Sequence, residues 1–253
     1  MWTDRVRLLD DVAPADWIAG RLTGPGGTVF GTVPSGYAAY ARVLHPADSE
    51  SGEPVTWARV AEVTGRRVHP AARWHTLIDA AGPYGSCSEL WPHGGPEVGN
   101  LPLAQLRALC EALSAHTTTP GDCFFALWEG WGHLNGGRSL LTPEGGEPVP
   151  PLLSPQEWAS PRLRLPGRDY LLLRGPLPAV TDLARYDGPE VWWTQSPSLF
   201  WPADRAWCVA TEIDFDSTFV GGSTAAIGAV LTAPMLEAWP IARGRSPLSC
   251  PGG

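Results

Sequence analysis

The chain has 253 residues, 43% of them hydrophobic, and sets 26 acidic side chains against 18 basic ones for a net charge of −8. That is enough apolar sequence for the core of one large or two small domains. No run of about 18 apolar residues could span a bilayer, and an acidic chain without basic clusters makes nucleic acid an unfavourable partner. All the basic residues are arginine, which speaks of a GC-rich genome rather than of a function. Their densest group, Arg162, Arg164 and Arg168, is too small to reverse the charge argument.

The N-terminal "MWTDRVRLLDDVAPADW" is charged and lacks the apolar core of a secretory signal, so a cytoplasmic location and no membrane partner are expected. "DVAPADWIAGRL" reads as a short first helix with Pro14 in its first turn. Residues 28–33 and 37–44 read as two strands joined at Pro34-Ser35-Gly36. In the second, Ala39, Ala41 and Val43 form a small-residue face that can lie against a helix. A helix capped by Thr56 ends at Gly65, and a second short one follows Pro70. Residues 82–102 form a long Gly- and Pro-rich loop.

The surest helix is "LPLAQLRALCEALSAH", with Leu106, Leu109, Cys110 and Leu113 on one face. Strands are expected at 123–129, 168–174 and 206–215, with a Gly- and Pro-rich insertion over 135–167. "PLPAVTDLARY" reads as a helix. "STAAIGAVLTAPMLEAWPI" reads as helical, broken near Pro234 and capped by Ser223. The last dozen residues look frayed. This order gives an α+β fold: a mixed, mainly antiparallel central sheet with helices packed largely on one face. It fills one domain over 1–240, with a flexible tail at 241–253; any subdivision would fall near 135–167.

The chemistry-bearing residues are few. In "CVATEIDFD" an extended chain puts Glu212, Asp214 and Asp216 on one face. Three carboxylates so close repel one another unless a cation or arginines offset them. A divalent metal would do so, and a wet strand end would need neither. "VGGS" leads to a helix N-terminus where Ser223 could receive an anion. In "LWEGWGHL", Glu129, Trp131 and His133 alternate onto one face if the strand stays extended. If strand 123–129 lay beside strand 206–215, Glu129 and His133 could join Asp214 and Asp216 in a mixed nitrogen and oxygen site for zinc, manganese or iron. The glycines Gly130 and Gly132 favour a bend instead.

Thirteen tryptophans read mainly as packing. Trp192, Trp193 and Trp201, clustered in loop-like sequence with Arg205 nearby, are candidates to stack on a small ligand. Arg205 can also pair locally with Asp204. Cys110, Cys123 and Cys208 read as small core residues. Cys87, in "YGSCSELW", is the cysteine that could serve as a nucleophile. There is no zinc-protease, nucleophile-elbow, phosphate-loop or paired-cysteine pattern.

Four stretches, "GTVPSGYAAYARVLHP", "HTTTPGDCFFALWEGWG", "LPGRDYLLLRGPL" and "SPSLFWPADRAWCVATEIDFDSTFVGGS", resemble a family of uncharacterised actinobacterial proteins over most of residues 17–240. The resemblance implies a soluble bacterial protein and carries no activity. Tryptophan-rich strand ends and the "LPGRDYLLL" segment are also similar to SMI1/KNR4-like immunity-type domains, which implies protein partners. The expected function is a binding or interaction protein without a catalytic motif, taking a protein partner or a small molecule. The alternatives are a metal-dependent hydrolase or transferase at Glu212, Asp214 and Asp216, and a tryptophan-lined ligand binder. No cofactor is evident, and a divalent metal belongs to the hydrolase or transferase alternative.

Overall fold

Nine strands build the central sheet: β1 (Arg7–Leu8), β2 (Ala39–Leu44), β3 (Cys123–Trp128), β4 (Leu163–Leu165), β5 (Arg168–Gly175), β6 (Leu199–Pro202), β7 (Trp207–Thr211), β8 (Ser217–Gly222) and β9 (Glu237–Pro240). The computed structural model describes residues 4–82, 84–135, 137–138, 148–149, 151–183, 186–187 and 192–241. The expected C-terminal tail lies, beyond residue 241, outside the described residues. In space the strands run β1-β5-β3-β6-β7-β8-β2-β9, with β4 paired to the start of β5. Every pairing among them is antiparallel. The α+β fold with a mainly antiparallel sheet is therefore as the sequence implies.

Strand alternation divides the apolar side chains between two faces. Ala41, Val43, Phe125, Leu127, Leu173, Phe200, Val209 and Val220 face the helix α3 (Leu103–Ser114), through Leu106, Leu109 and Leu113, and the helix α4 (Thr224–Thr232), through Ala226, Ile227 and Val230. The small-residue face of β2 thus meets a helix, as expected. The opposite face carries Tyr40, Phe124, Leu172, Trp201, Cys208 and Phe219, and the N-terminal segment covers it with Ile18, Val29 and Val33. A smaller core beyond the β2 end joins α1 (Trp57–Thr64) and α2 (Trp74–Ile78) through Trp57, Val60, Trp74 and Ile78. Thr56 caps α1, accepting from Arg59 N at 3.2 Å. The Glu237 carboxylate of β9 accepts from Trp57 N and, at 2.9 Å, from Ala58 N, so the sheet edge satisfies the free amides of the helix.

Several elements differ from the pattern reading. Residues Val29–Thr32 form a helical turn, not a strand, because Thr28 caps it and accepts from Gly31 N. A Cβ on Gly31 would lie 2.0 Å from Pro25 O, so only glycine permits this tight loop. The strand expected at 206–215 stops at Thr211, and Ser217–Gly222 forms a further, fully buried strand. Gly221 belongs to that strand because the Tyr37 and Tyr40 rings occupy the space a side chain would need, 2.6 and 2.8 Å from its would-be Cβ. "LFWP" is not a loop but β6, in the middle of the sheet, with Pro202 tolerated at the strand end. The segment after Pro234 is β9 rather than helix, and Leu177–Asp182 is a 3-10 helix. Within 135–167, the short helix Pro155–Trp158, closed by a Ser154–Glu157 capping box, and β4 interrupt the expected loop.

Leu109 is fully buried between α3 and the sheet. Leu109→Ala is expected to cost about 2–5 kcal/mol of stability, read from urea unfolding.

Candidate functional site

At the end of β7 the chain does not continue as a strand. Phe215 N donates to Glu212 O at 3.0 Å, closing a four-residue turn that hands the chain to β8. The expectation that Glu212, Asp214 and Asp216 share a strand face is corrected accordingly. The turn sends the three carboxylates to two different arginines. Arg168, at the start of β5, donates through Nε to Glu212 and through Nη2 to Asp214 Oδ2 at 2.7 Å. Its guanidinium also lies over the Trp128 ring, 5.3 Å from the centroid. Asp216 instead accepts from Arg42 Nη2 at 3.1 Å. Arginines offset the charges, and among the described residues there is no group of three His, Cys, Asp or Glu side chains that could hold a metal ion.

The same turn rests on the loop 94–101. Gly99 N donates to Phe215 O at 2.9 Å, and Gly99 has φ +75°. A Cβ there would stand 2.4 Å from Ile213 O, so both conformation and space require glycine. Asn100 bridges the loop to the approach of β6, accepting from Ser196 N at 2.7 Å and donating to Thr194 O at 3.1 Å. Below it runs a directed chain of hydrogen bonds. His45 Nδ1 is 2.6 Å from Glu97 O, a carbonyl that can only accept, so Nδ1 carries the proton. Burial holds the fully enclosed imidazole neutral, down to about 4, against smaller opposing effects of the Glu97 carbonyl and Asp216. Nε2 then accepts from Thr218 Oγ1 at 2.9 Å, and Thr218 accepts from Thr211 at 2.8 Å.

Beside the turn opens a cleft of about 400 Å³. One wall is the N-terminal segment at Leu22, Gly26, Gly27 and Thr32; the other is the β4–β5 hairpin at Leu165, Arg168 and Tyr170. Glu212, Asp214 and Phe215 line it from the turn. Burial, with Glu212 next in effect, pushes the Tyr170 phenol up to about 12, so it stays a neutral donor at pH 7. The Glu212 side chain is sheltered, 18% exposed, whereas Asp214 is 65% exposed.

The second constellation is not assembled. After Trp128 the chain bends: Trp131 N donates to Trp128 O, and residues Gly132–Asn135 form a short helix, so Glu129, Trp131 and His133 do not alternate on a strand. The Trp128 ring fills the side-chain position of Gly130. Glu129 accepts from Arg162 Nε at 2.7 Å. β3 and β7 are not neighbours, because β6 lies between them. The side chains of His133, Trp192 and Trp193 lie outside the described residues. Trp201 is fully buried and stacked on Phe124, so it offers no face to a ligand. Ser223 caps α4, accepting from Ala226 N at 3.1 Å. Arg205 does not pair with Asp204 but lies over Trp17, 5.3 Å from its centroid. Cys110, Cys123 and Cys208 are buried free thiols, as core residues should be, and Cys87 is exposed.

The residue that sequence reasoning missed is Arg42, only 1% exposed. Alternation placed it on the face of β2 opposite the small residues, but nothing local distinguishes a buried arginine from a solvated one. Compared with models of protein families, with curated proteins and with solved structures, the chain matches none.

Arg42→Leu leaves Asp216 without its counter-charge, and about 3–5 kcal/mol of stability should be lost in urea unfolding. His45 gives a pH dependence. Its folded value lies below its ordinary 6.5, so the unfolded chain takes up the proton first. Its contribution is complete above about pH 6.5 and falls by up to about 3 kcal/mol as the pH drops towards 4. Urea unfolding across that window should show the slope in the wild type and a shallower one in His45→Gln.

Proposed function

We propose that this chain is a non-catalytic binding protein whose recognition site is the cleft between the N-terminal segment and the β4–β5 hairpin. One observation supports the reading above the rest: Arg168, Glu212 and Asp214 satisfy one another in the cleft wall. Hydrolytic centres need an acid or base held ready for the substrate, or a metal with an open position. A wall of mutually paired charges is instead a fixed surface of donors and acceptors, which orients a ligand without transforming it.

The ligand class follows from the charge balance. One guanidinium against two carboxylates leaves the wall with one net negative charge, and the more exposed Asp214 presents it. Tyr170 adds a hydroxyl, and Leu22, Leu165 and Phe215 add apolar surface. Such a cleft suits a small molecule carrying an ammonium or guanidinium group beside a short apolar body.

The test uses the intact chain and thermal shift. Agmatine and arginine amide should raise the melting temperature of the wild type and leave the Asp214→Asn variant unmoved, while citrate should do nothing. EDTA and added manganese or zinc should not change the melting temperature. Failure of both cationic probes would remove the ligand class. Turnover of ester, phosphate or glycoside substrates that disappears in Glu212→Gln would overturn the non-catalytic reading itself.

A further inference from the structure

A second charged feature lies at the other end of β7, in the turn from β6. Arg205 sits there with φ +57°, a left-handed conformation that is unfavourable for a long side chain. Arg205 N donates to Pro202 O at 2.8 Å, and the Tyr37 hydroxyl donates to Arg205 O at 3.2 Å, so the strained turn is held from two sides. Its guanidinium lies 5.3 Å from the Trp17 ring centroid. Arg21 approaches the same ring, at 5.4 Å. Nη1 of Arg21 also passes over Gly36, 3.9 Å from where a Cβ would stand, beside Tyr37. Burial pushes the Tyr37 phenol up, with Cys208 next in effect, and Arg21 and Arg205 both pull it back down, so the two charges act on one hydroxyl.

Neither guanidinium makes an ion pair among the described residues. This is notable in a chain of net charge −8, where Arg42, Arg162, Arg168 and Arg174 all pair with carboxylates. The adjacent acid is not available to them. Asp204 accepts from Thr117 Oγ1 at 2.9 Å, Thr118 N at 2.6 Å and Ala206 N at 3.0 Å, which fixes it to the loop after α3. Both arginines are exposed. Their contacts with Trp17 restrict them without neutralising them. Trp17 itself is anchored edge-on to the buried Trp201, at 5.9 Å.

We propose that Arg21 and Arg205, gathered at Trp17, form a binding site for a phosphate group. A single guanidinium can satisfy a carboxylate with two parallel hydrogen bonds. Two guanidiniums match the roughly −1.5 to −2 charge and the three oxygens of a phosphate monoester. Arginine rather than lysine suits the task, because its planar fork fits phosphate geometry and can still lie on an aromatic ring. The site is separate from the cleft at the carboxylate turn and stands whether or not that cleft binds a cation.

The experiment is calorimetric titration of the full chain with inorganic phosphate at constant ionic strength in chloride, with acetate as the carboxylate probe. Saturable phosphate binding is expected, at least about tenfold tighter than acetate. Arg21→Gln and Arg205→Asn should each weaken it by about tenfold or more. Arg205→Asn also separates binding from folding, since asparagine tolerates the left-handed conformation. That variant should keep or raise the melting temperature while losing phosphate. Absence of saturable binding in the wild type, equal binding of acetate, or unchanged affinity in both variants would each overturn the proposal.

Discussion

The buried guanidinium of Arg42 is the interaction on which the rest of the architecture depends. An isolated charge inside a protein is prohibitively unfavourable unless it is paired and fully hydrogen-bonded. Arg42 meets that condition by drawing on every neighbouring unit. Nε donates to Ser217 Oγ at 2.9 Å in β8, Nη1 to Ala72 O at 2.7 Å before α2, and Nη2 to Asp216. Its flat face lies over Trp57 of α1, 5.4 Å from the ring centroid. Burial pulls the guanidinium down from its ordinary value and Asp216 supports the charged form. The central sheet, the smaller helical core and the carboxylate turn therefore share one group, and none of them can shift without stranding it.

That sharing sets the geometry of the cleft. The turn from Glu212 to Asp216 is held by Arg42 on one side and Arg168 on another, with Gly99 packed beneath its backbone. The hydrogen bonds around Asn100 and the His45–Thr218–Thr211 chain fasten the supporting loop to the strands. Buried polar networks of this kind fix one arrangement when every member is satisfied. The cleft wall is thus preformed, which lowers the ordering cost of recognition.

Much of this was legible in the sequence where local pattern and burial agree. The apolar spacing of Leu106, Leu109, Cys110 and Leu113 gives α3, and Thr56 and Gly65 bound α1. The reading failed where a distant contact overrides the local signal. "LFWP" looks like loop because it holds a proline and two aromatic rings, yet pairing with β3 and β7 makes it central. "VGGS" reads only as the approach to a helix, yet Gly221 and Gly222 belong to β8, and the Tyr37 and Tyr40 rings take the space beside Gly221. The acidic run reads as a place of charge, with arginines among the groups that can balance it. Which arginines do so depends on strand order, and Arg168 and Arg42 come from opposite halves of the chain. A local pattern of alternation cannot carry that information.

The position of β2 has a consequence for biosynthesis. Residues 39–44 pair on one side with 217–222 and on the other with 237–240. Both partners are made only after residue 216, so until then a growing chain carries the "AYARVL" segment without the strands it pairs with. Non-local pairings of this kind fold slowly and leave strand edges open to wrong partners. Arg42 puts a charge in the middle of that apolar segment, the kind of residue that opposes edge-to-edge pairing, and the finished sheet encloses the same charge.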